Sequence, residues 1–212
     1  MRILFAVLPG IDCNDIKKTL VVFQLISVIA RLVPFKTVSF GAKSKLKSAK
    51  SQSFHQFVST FMTKCFSLID NSSLEIIRQE QSTADTRMSS EESSINVSIV
   101  TCFDSVLHQA EPAIQRLAID RLEEYLRGRI LEPKVAGKIA SGMCRTCARI
   151  APEQILATMV PRICEVLLVA LGEVDLKSDV YLGDEIMFNL LLLSDIVCVP
   201  GYYLIPYKDQ VN

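Results

Sequence analysis

PKVAGKIASGMCRTCARI (133–150), PEQILATMVPRICEVLLVAL (152–171) and DEIMFNLLLLSDIVCV (184–199) decide the fold. In the first, Val135, Ile139, Met143, Cys147 and Ile150 form an apolar ridge, with Ala136, Ala140, Cys144 and Ala148 beside it. In the second the ridge is Leu156, Val160, Ile163, Leu167 and Ala170; in the third it is Ile186, Leu190, Leu193 and Val197. Steps of three and four place each set on one helical face. Pro133 and Pro152 are expected in first turns, where the missing N–H has no intrahelical partner in any case. Connections this short make consecutive helices antiparallel neighbours. None of the three helices carries a catalytic motif, so the expectation is a scaffold that acts through its surfaces.

Working toward the N-terminus, the same periodicity persists. Asp12, with Asp15 three residues on, can cap a helix running to about Leu32, and Pro34 stops it. Residues 35–50 read as a Lys/Ser-rich loop. A second helix is expected from about Ser51 to Asp70, burying Phe54, Phe57, Val58, Phe61, Cys65 and Leu68. Ser72-Ser-Leu-Glu75 and Ser89-Ser-Glu-Glu92 have the form of capping boxes that open further helices, with a polar, flexible stretch at about 81–90 between them. Pro112 opens a helix with Ile114, Leu117, Ile119, Leu122 and Leu126 as its apolar set and Gly128 as its stop. No run alternates with period two over a strand's length. The fold class is therefore all-α. The helices are expected to pair into antiparallel hairpins at about 12–70, 72–109, 112–150 and 152–199, forming one α-solenoid segment over 1–212. A spacing near forty residues in the second half falls in the HEAT and armadillo range of ~40–47. The apolar runs Ile3–Leu8 and Tyr202–Ile205 suggest a segment that docks onto a larger body.

Composition narrows the function. Half of the 212 residues are hydrophobic and the formal net charge is zero, but that neutrality hides a division. Between Ile16 and Ile69 there are nine Lys and Arg and no carboxylate; from Asp70 to Ile99 six acids face two arginines. The longest apolar stretch, Leu20–Val33, is interrupted by Gln24, Ser27 and Arg31 and is shorter than the ~20 residues a bilayer requires. Ile3–Leu8 is shorter than the ~7–15 residues of a signal-peptide core and no small-residue cleavage site follows. The expectation is a protein of nucleus or cytoplasm without a membrane role.

Several features imitate chemistry. Cys144-Arg-Thr-Cys147 has the spacing of a redox pair or half a zinc site, but zinc needs two further ligands and neither a second CxxC nor a paired His exists. Both thiols fall on the apolar side of their helix, where Cys packs as a small hydrophobe. The other five cysteines are single. His55 and His108 have no nucleophile beside them in a recognisable motif. Gly41-Ala-Lys-Ser lacks the upstream glycine of a phosphate loop. Asn71-Ser-Ser and Asn96-Val-Ser match glycosylation sequons by chance if no secretory signal precedes them. Lys43, Lys45, Lys47 and Lys50 are candidate contacts for an anionic partner. No aromatic platform alternates with them, so direct nucleic-acid binding is not expected. No catalytic residue, metal ligand or cofactor site is assigned.

Particular residues resemble a known family. Leu8-Pro-Gly-Ile-Asp12, Asn14-Asp15, Lys18 and Phe23-Gln24 are similar to a segment of the giant HEAT-repeat proteasome activators. So are Phe61–Phe66, Leu68-Ile69, Ser73-Leu-Glu75, Val135-Ala-Gly137, Met143-Cys-Arg145, Pro152-Glu153, Val160-Pro161, Asn189-Leu190 and Leu192-Leu-Ser194. These patches run in order from about Leu8 to Tyr207 and correspond to a fragment of the family's middle HEAT-repeat region. The pattern is broken at Lys43–Lys50 and at Gln81–Ser90. The resemblance implies a curved α-solenoid that caps the core proteasome and admits peptides or unfolded proteins without ATP. It further implies a nuclear and cytoplasmic setting, acetylated histones as partners through regions not in this chain, and roles in DNA repair and spermatogenesis. The family's gate-opening element is a C-terminal hydrophobic–Tyr–any tripeptide, whereas this chain ends Gln210-Val-Asn212. No Lys or Arg here maps onto the family's inositol-phosphate openings. Two other readings stand beside it: an unrelated α-solenoid adaptor for transport or assembly, and a small redox or metal protein using Cys144 and Cys147.

Overall fold

The computed structural model describes the backbone of residues 1–33, 44–81, 90–172 and 183–208, with side chains outside 44–51, 72–81 and 90–93. Among the described residues there are eight α-helices and no strand, so the chain is all-α as expected. They are α1 (Arg2–Val7), α2 (Ile16–Leu32), α3 (Ser44–Gln81), α4 (Ser90–His108), α5 (Pro112–Leu126), α6 (Ala136–Ile150), α7 (Pro152–Gly172) and α8 (Asp184–Ile196). The chain forms two compact units, Met1–Arg121 and Leu122–Asn212, with the division falling inside α5.

In the first unit, Asp15 rather than Asp12 caps α2: its carboxylate accepts from the Lys18 N–H at 3.0 Å. Asp12 instead closes a turn, its carboxylate accepting from the Asn14 N–H while Thr19 donates to its carbonyl at 2.7 Å. The face of α3 read from the sequence is the buried one, from Phe54 to Leu68. Phe54, Phe57 and Phe61 stack along it with ring centroids 5.9 Å apart at each step. Phe5 of α1 and Phe23 of α2 meet this ladder edge-on at 6.0 and 6.3 Å. Edge-to-face and offset pairs of this kind add ~0.5–1.5 kcal/mol each beyond burial.

Alternate helices run parallel. Arg31 near the end of α2 donates to Ser105 near the end of α4 at 3.2 Å, and one turn earlier Ser27 meets Cys102. Both positions ascend together, which fixes the direction. The second unit repeats the arrangement: Gly137 at the start of α6 lies against Phe188 early in α8, and Arg145 pairs with Asp195 further along both helices. The α6–α8 offset is 50 residues, longer than the forty expected, because residues 173–183 separate α7 from α8. Helix n packing on helix n+2 as well as on its neighbour is how stacked helical repeats bury a continuous core.

Four further expectations need correction. The helix expected at Ser51 begins at Ser44, so residues 44–50 are not loop, while 35–43 lie outside the described residues. Ser72–Glu75 opens no helix, because α3 runs through it unbroken; Asn71 turns its side-chain amide back to the Ser67 carbonyl at 2.7 Å and so competes with no cap. Pro133 precedes its helix by three residues, and the turn is held by Glu132, whose carboxylate accepts from the Lys134 and Val135 N–H groups while its carbonyl accepts from Gly137. Finally, α8 buries Ile186, Phe188, Asn189, Leu192, Asp195 and Ile196, leaving Leu190 41% exposed. Leu190–Leu193 spreads apolar side chains round α8, so periodicity alone cannot choose its face; the buried Asp195, paired with Arg145 of α6, marks it. Asn189 donates to the Glu185 carbonyl at 2.8 Å, and Asp195 takes Arg145.

The close seat at Gly137 and the buried carboxylate at 195 make two measurable predictions. A Cβ at position 137 would lie 2.9 Å from the Glu132 carbonyl oxygen and 3.2 Å from the Phe188 ring. Gly137→Ala should therefore destabilise by ~1–3 kcal/mol despite the better helix propensity of Ala. Arg145→Ala, which leaves the Asp195 carboxylate buried without its partner, should cost ~1–3 kcal/mol. Urea unfolding followed by circular dichroism reads both. A change below ~0.5 kcal/mol, the usual range of a neutral surface substitution, would contradict the packing described.

Candidate functional site

The thiols come first, because they imitate a site most closely. Cys144 and Cys147 lie on the inner side of α6 with no exposed surface. Burial pushes both thiols well above their ordinary value, so neither is a thiolate at neutral pH. They act as small apolar side chains between α6 and its neighbours. Cys65 and Cys102 are equally buried in the first unit, where burial pushes Cys102 up to about 12. His55 and His108 are both exposed, on α3 and at the end of α4, and are not brought together with any cysteine. Among the described residues no three His, Cys, Asp or Glu side chains converge in a metal-binding group.

The four candidate lysines separate. Lys45, Lys47 and Lys50 stand on the first two turns of α3 rather than on a loop, and Lys43 lies outside the described residues. Their side-chain positions are likewise outside the described set.

What the sequence reading missed is on α6. Ten of its 15 residues are buried, none of them charged. Its exposed residues are Lys138, Arg145 and Arg149, all cationic, and the exposed Lys134 lies in the turn before the helix. The helix contains no acid. Arg145 is held in place: its Nε donates to Asp195 Oδ1 at 3.1 Å and its Nη2 reaches the same oxygen, while its side chain remains 53% exposed. The hydrogen bond to Asp195 raises the Arg145 pKa further, so the charge is fixed. The signal was available in the sequence: once the apolar ridges are removed from 133–150, the charged residues left are Lys134, Lys138, Arg145 and Arg149, spaced four, seven and four apart.

Apolar surface is also exposed in rows. On α2, Val21, Leu25, Val28 and Leu32 form a second stripe opposite the buried one. On α7, Leu168, Val169 and Leu171 are exposed at the C-terminal end. By length and composition α7, not Leu20–Val33, is the helix long and apolar enough to cross a bilayer. Its inward residues Ile155, Leu156, Met159, Val160, Ile163, Cys164 and Leu167 are buried in the second unit.

Stacked helical pairs with parallel alternate helices and inert thiols define an α-solenoid of HEAT type. The chain belongs to the family described as proteasome activator complex subunit 4, mid HEAT repeats region, whose model matches residues 1–50 and 41–212. It is 33% identical to proteasome activator complex subunit 4 of Homo sapiens over 220 residues, 32% identical to subunit 4B of Danio rerio, and 31% identical to subunit 4 of Xenopus laevis. Each alignment covers all of this chain and 12% of the relative.

Thiol titration tests the reading of the cysteines. With a disulfide reagent at neutral pH, the exposed Cys13 and Cys198 should react quickly in the native protein and the five buried thiols only after unfolding. Because burial raises the thiols in the folded state, their contribution is complete below the ordinary thiol range and is lost as pH rises through it, for Cys102 toward about 12. Stability should therefore fall above about pH 9. Cys144→Ser with Cys147→Ser should cost ~1–2 kcal/mol of packing and desolvation. Rapid native reaction of more than two thiols would contradict these placements.

Proposed function

We propose that this chain is a non-enzymatic scaffold segment of an ATP-independent proteasome activator, supplying wall rather than gate. The observation that carries the reading is the match of the whole chain to the middle HEAT-repeat region of proteins named as proteasome activator subunits. Helix stacking supports it, since α2–α4 and α6–α8 repeat one parallel arrangement suited to continuation in both directions. In this reading the assembly caps the core proteasome and promotes degradation of peptides and unfolded proteins. Acetylated histones would be engaged by regions outside these residues, and the setting is nucleus and cytoplasm. α7 serves as a core helix rather than a membrane span, which is supported by its buried face and by Glu153, Arg162 and Glu165 along its length.

A segment that covers 12% of its relatives has too little wall to enclose an opening alone. The isolated chain should not stimulate fluorogenic-peptide hydrolysis by purified core proteasome, even in large excess, beside a full-length activator as control. Substituted for the matching segment of the human relative, it should retain most of that protein's stimulation. Several-fold stimulation by the chain alone, or a folded chimera that binds core proteasome without stimulating it, would overturn the reading.

A further inference from the structure

The outer stripe of α2 takes no part in the packing of the first unit. Val21, Leu25, Val28 and Leu32 are all exposed, Leu32 to 76%, while Val22, Phe23, Ile26 and Ala30 are buried on another side of the same helix. We infer that this stripe is the seat of a parallel helix from the helical repeat before it in the longer chain. The inference rests on the scaffold reading and goes beyond it by assigning the contact face, the kind of partner and its direction.

Spacing names a helix as the occupant. Residues 21, 25, 28 and 32 step by four, three and four, the alternation that keeps one seam turned toward a neighbouring helix, and Val and Leu alternate along it. Lys17, Gln24 and Arg31, seven apart and exposed, border the seam on one side. By contrast Leu168, Val169 and Leu171 of α7 are bunched within four residues and make no seam. The existing packing gives the direction. α2 carries α4, its second neighbour along the chain, in parallel through Ser27 and Arg31, which lie off the stripe, and α6 carries α8 in the same way. The same step taken in the other direction sets the helix two places before α2 parallel to it, on a face away from α4. Size selects a helix of the same chain over a separate molecule. From Val21 to Leu32 the stripe is ~16 Å long on a helix ~10 Å across. That is well short of the ~800 Å² that each partner contributes to a stable complex. A tethered helix needs no such area, because its effective concentration is already high. The relatives have the chain to supply it, since each alignment takes in only 12% of the relative.

The test places Val28→Cys in the full chain alone and in the chimera with the human relative described above. Maleimide labelling is read by mass spectrometry of the tryptic peptide Thr19–Arg31, which has no cysteine of its own. Position 28 should label in the isolated chain nearly as fast as in the unfolded protein, and at least tenfold more slowly in the chimera. Val21→Glu with Leu32→Glu, added to that chimera, should raise the labelling rate at least fivefold, while the same pair leaves the urea midpoint of the isolated chain unchanged. If the chimera does not fold, it is replaced by the chain extended at its N-terminus with the two preceding repeats of the human relative, ~90 residues. Equal labelling in the isolated chain and the chimera would overturn the inference, and stimulation of core proteasome by that chimera would leave the scaffold role standing. A chimera that protects position 28 yet stimulates nothing would do the reverse. Slow labelling of the isolated chain would also overturn the inference. Slowing that appears only at high protein concentration would assign the stripe to a second copy, and slowing on addition of phosphatidylcholine vesicles would assign it to a lipid surface.

Discussion

The rest of the second unit depends on how closely α6 can be approached. α6 is built from small residues on its inner sides: Ala136, Gly137, Ala140, Ser141, Cys144 and Ala148 are all buried. Side chains this short let neighbouring helices come near on two sides, and large ones elsewhere (Phe188 of α8, Met159 of α7) fill the space between them. Two-sided burial has a consequence for charge. An isolated cation cannot be buried without a large desolvation penalty, so every Lys and Arg of α6 is driven to the one remaining face. The basic row is thus the complement of the packing. Arg145 shows the balance locally, because its stem crosses toward α8 to meet the buried Asp195 while much of the guanidinium stays in water.

The first unit solves the same stacking problem with aromatic rather than small residues. The Phe54–Phe57–Phe61 ladder gives α3 a stiff apolar spine, and Phe5 and Phe23 approach it from α1 and α2 at nearly right angles. The parallel α2–α4 pair is then held by polar contacts at its edge, Arg31 to Ser105 and Ser27 beside Cys102. Different side chains therefore produce one arrangement in the two units. That explains why the internal sequence similarity is weak although the helix order repeats: stacking demands volume and register, which many residue sets can satisfy.

The same distinction explains what could be read from the sequence. The apolar faces of α3 and α6 were legible because one side of each is charged or polar, leaving periodicity a single answer. The face of α8 was not, because four consecutive leucines give a three-to-four spacing in several directions. Its face is marked by the buried Asp195, whose partner Arg145 lies fifty residues away on α6 and not in the local sequence. The false start at Ser72 has a similar cause. A capping box records what a side chain can do if the helix begins there, while Asn71 shows that the same residue types can bond backward inside a continuing helix. The late start of α6 followed from the Glu132 carboxylate and carbonyl holding the turn after Pro133, a role that a proline count does not show. The family's identity was legible in the order of its patches, since packing motifs that are individually common become specific in sequence.

The α6 row was overlooked for a reason that applies to scaffolds in general. A search for catalytic or metal-binding residues looks for reactive groups brought together, and in this chain the groups of that kind are the cysteines. Burial removes their reactivity: a thiol held protonated between helices neither attacks nor ligates at neutral pH. The charge run at Lys43–Lys50 is conspicuous because its cations are dense in sequence, spaced two, two and three apart. On a helix, however, cations three and four apart line up whereas those two apart diverge, so a row can also come from dispersed residues. Lys138, Arg145 and Arg149 are scattered among apolar positions and leave no local excess of charge, yet the helix gathers them on one face. In a protein whose core chemistry is inert, recognition has to come from what packing leaves outside. The positions to inspect are therefore those that the apolar pattern omits.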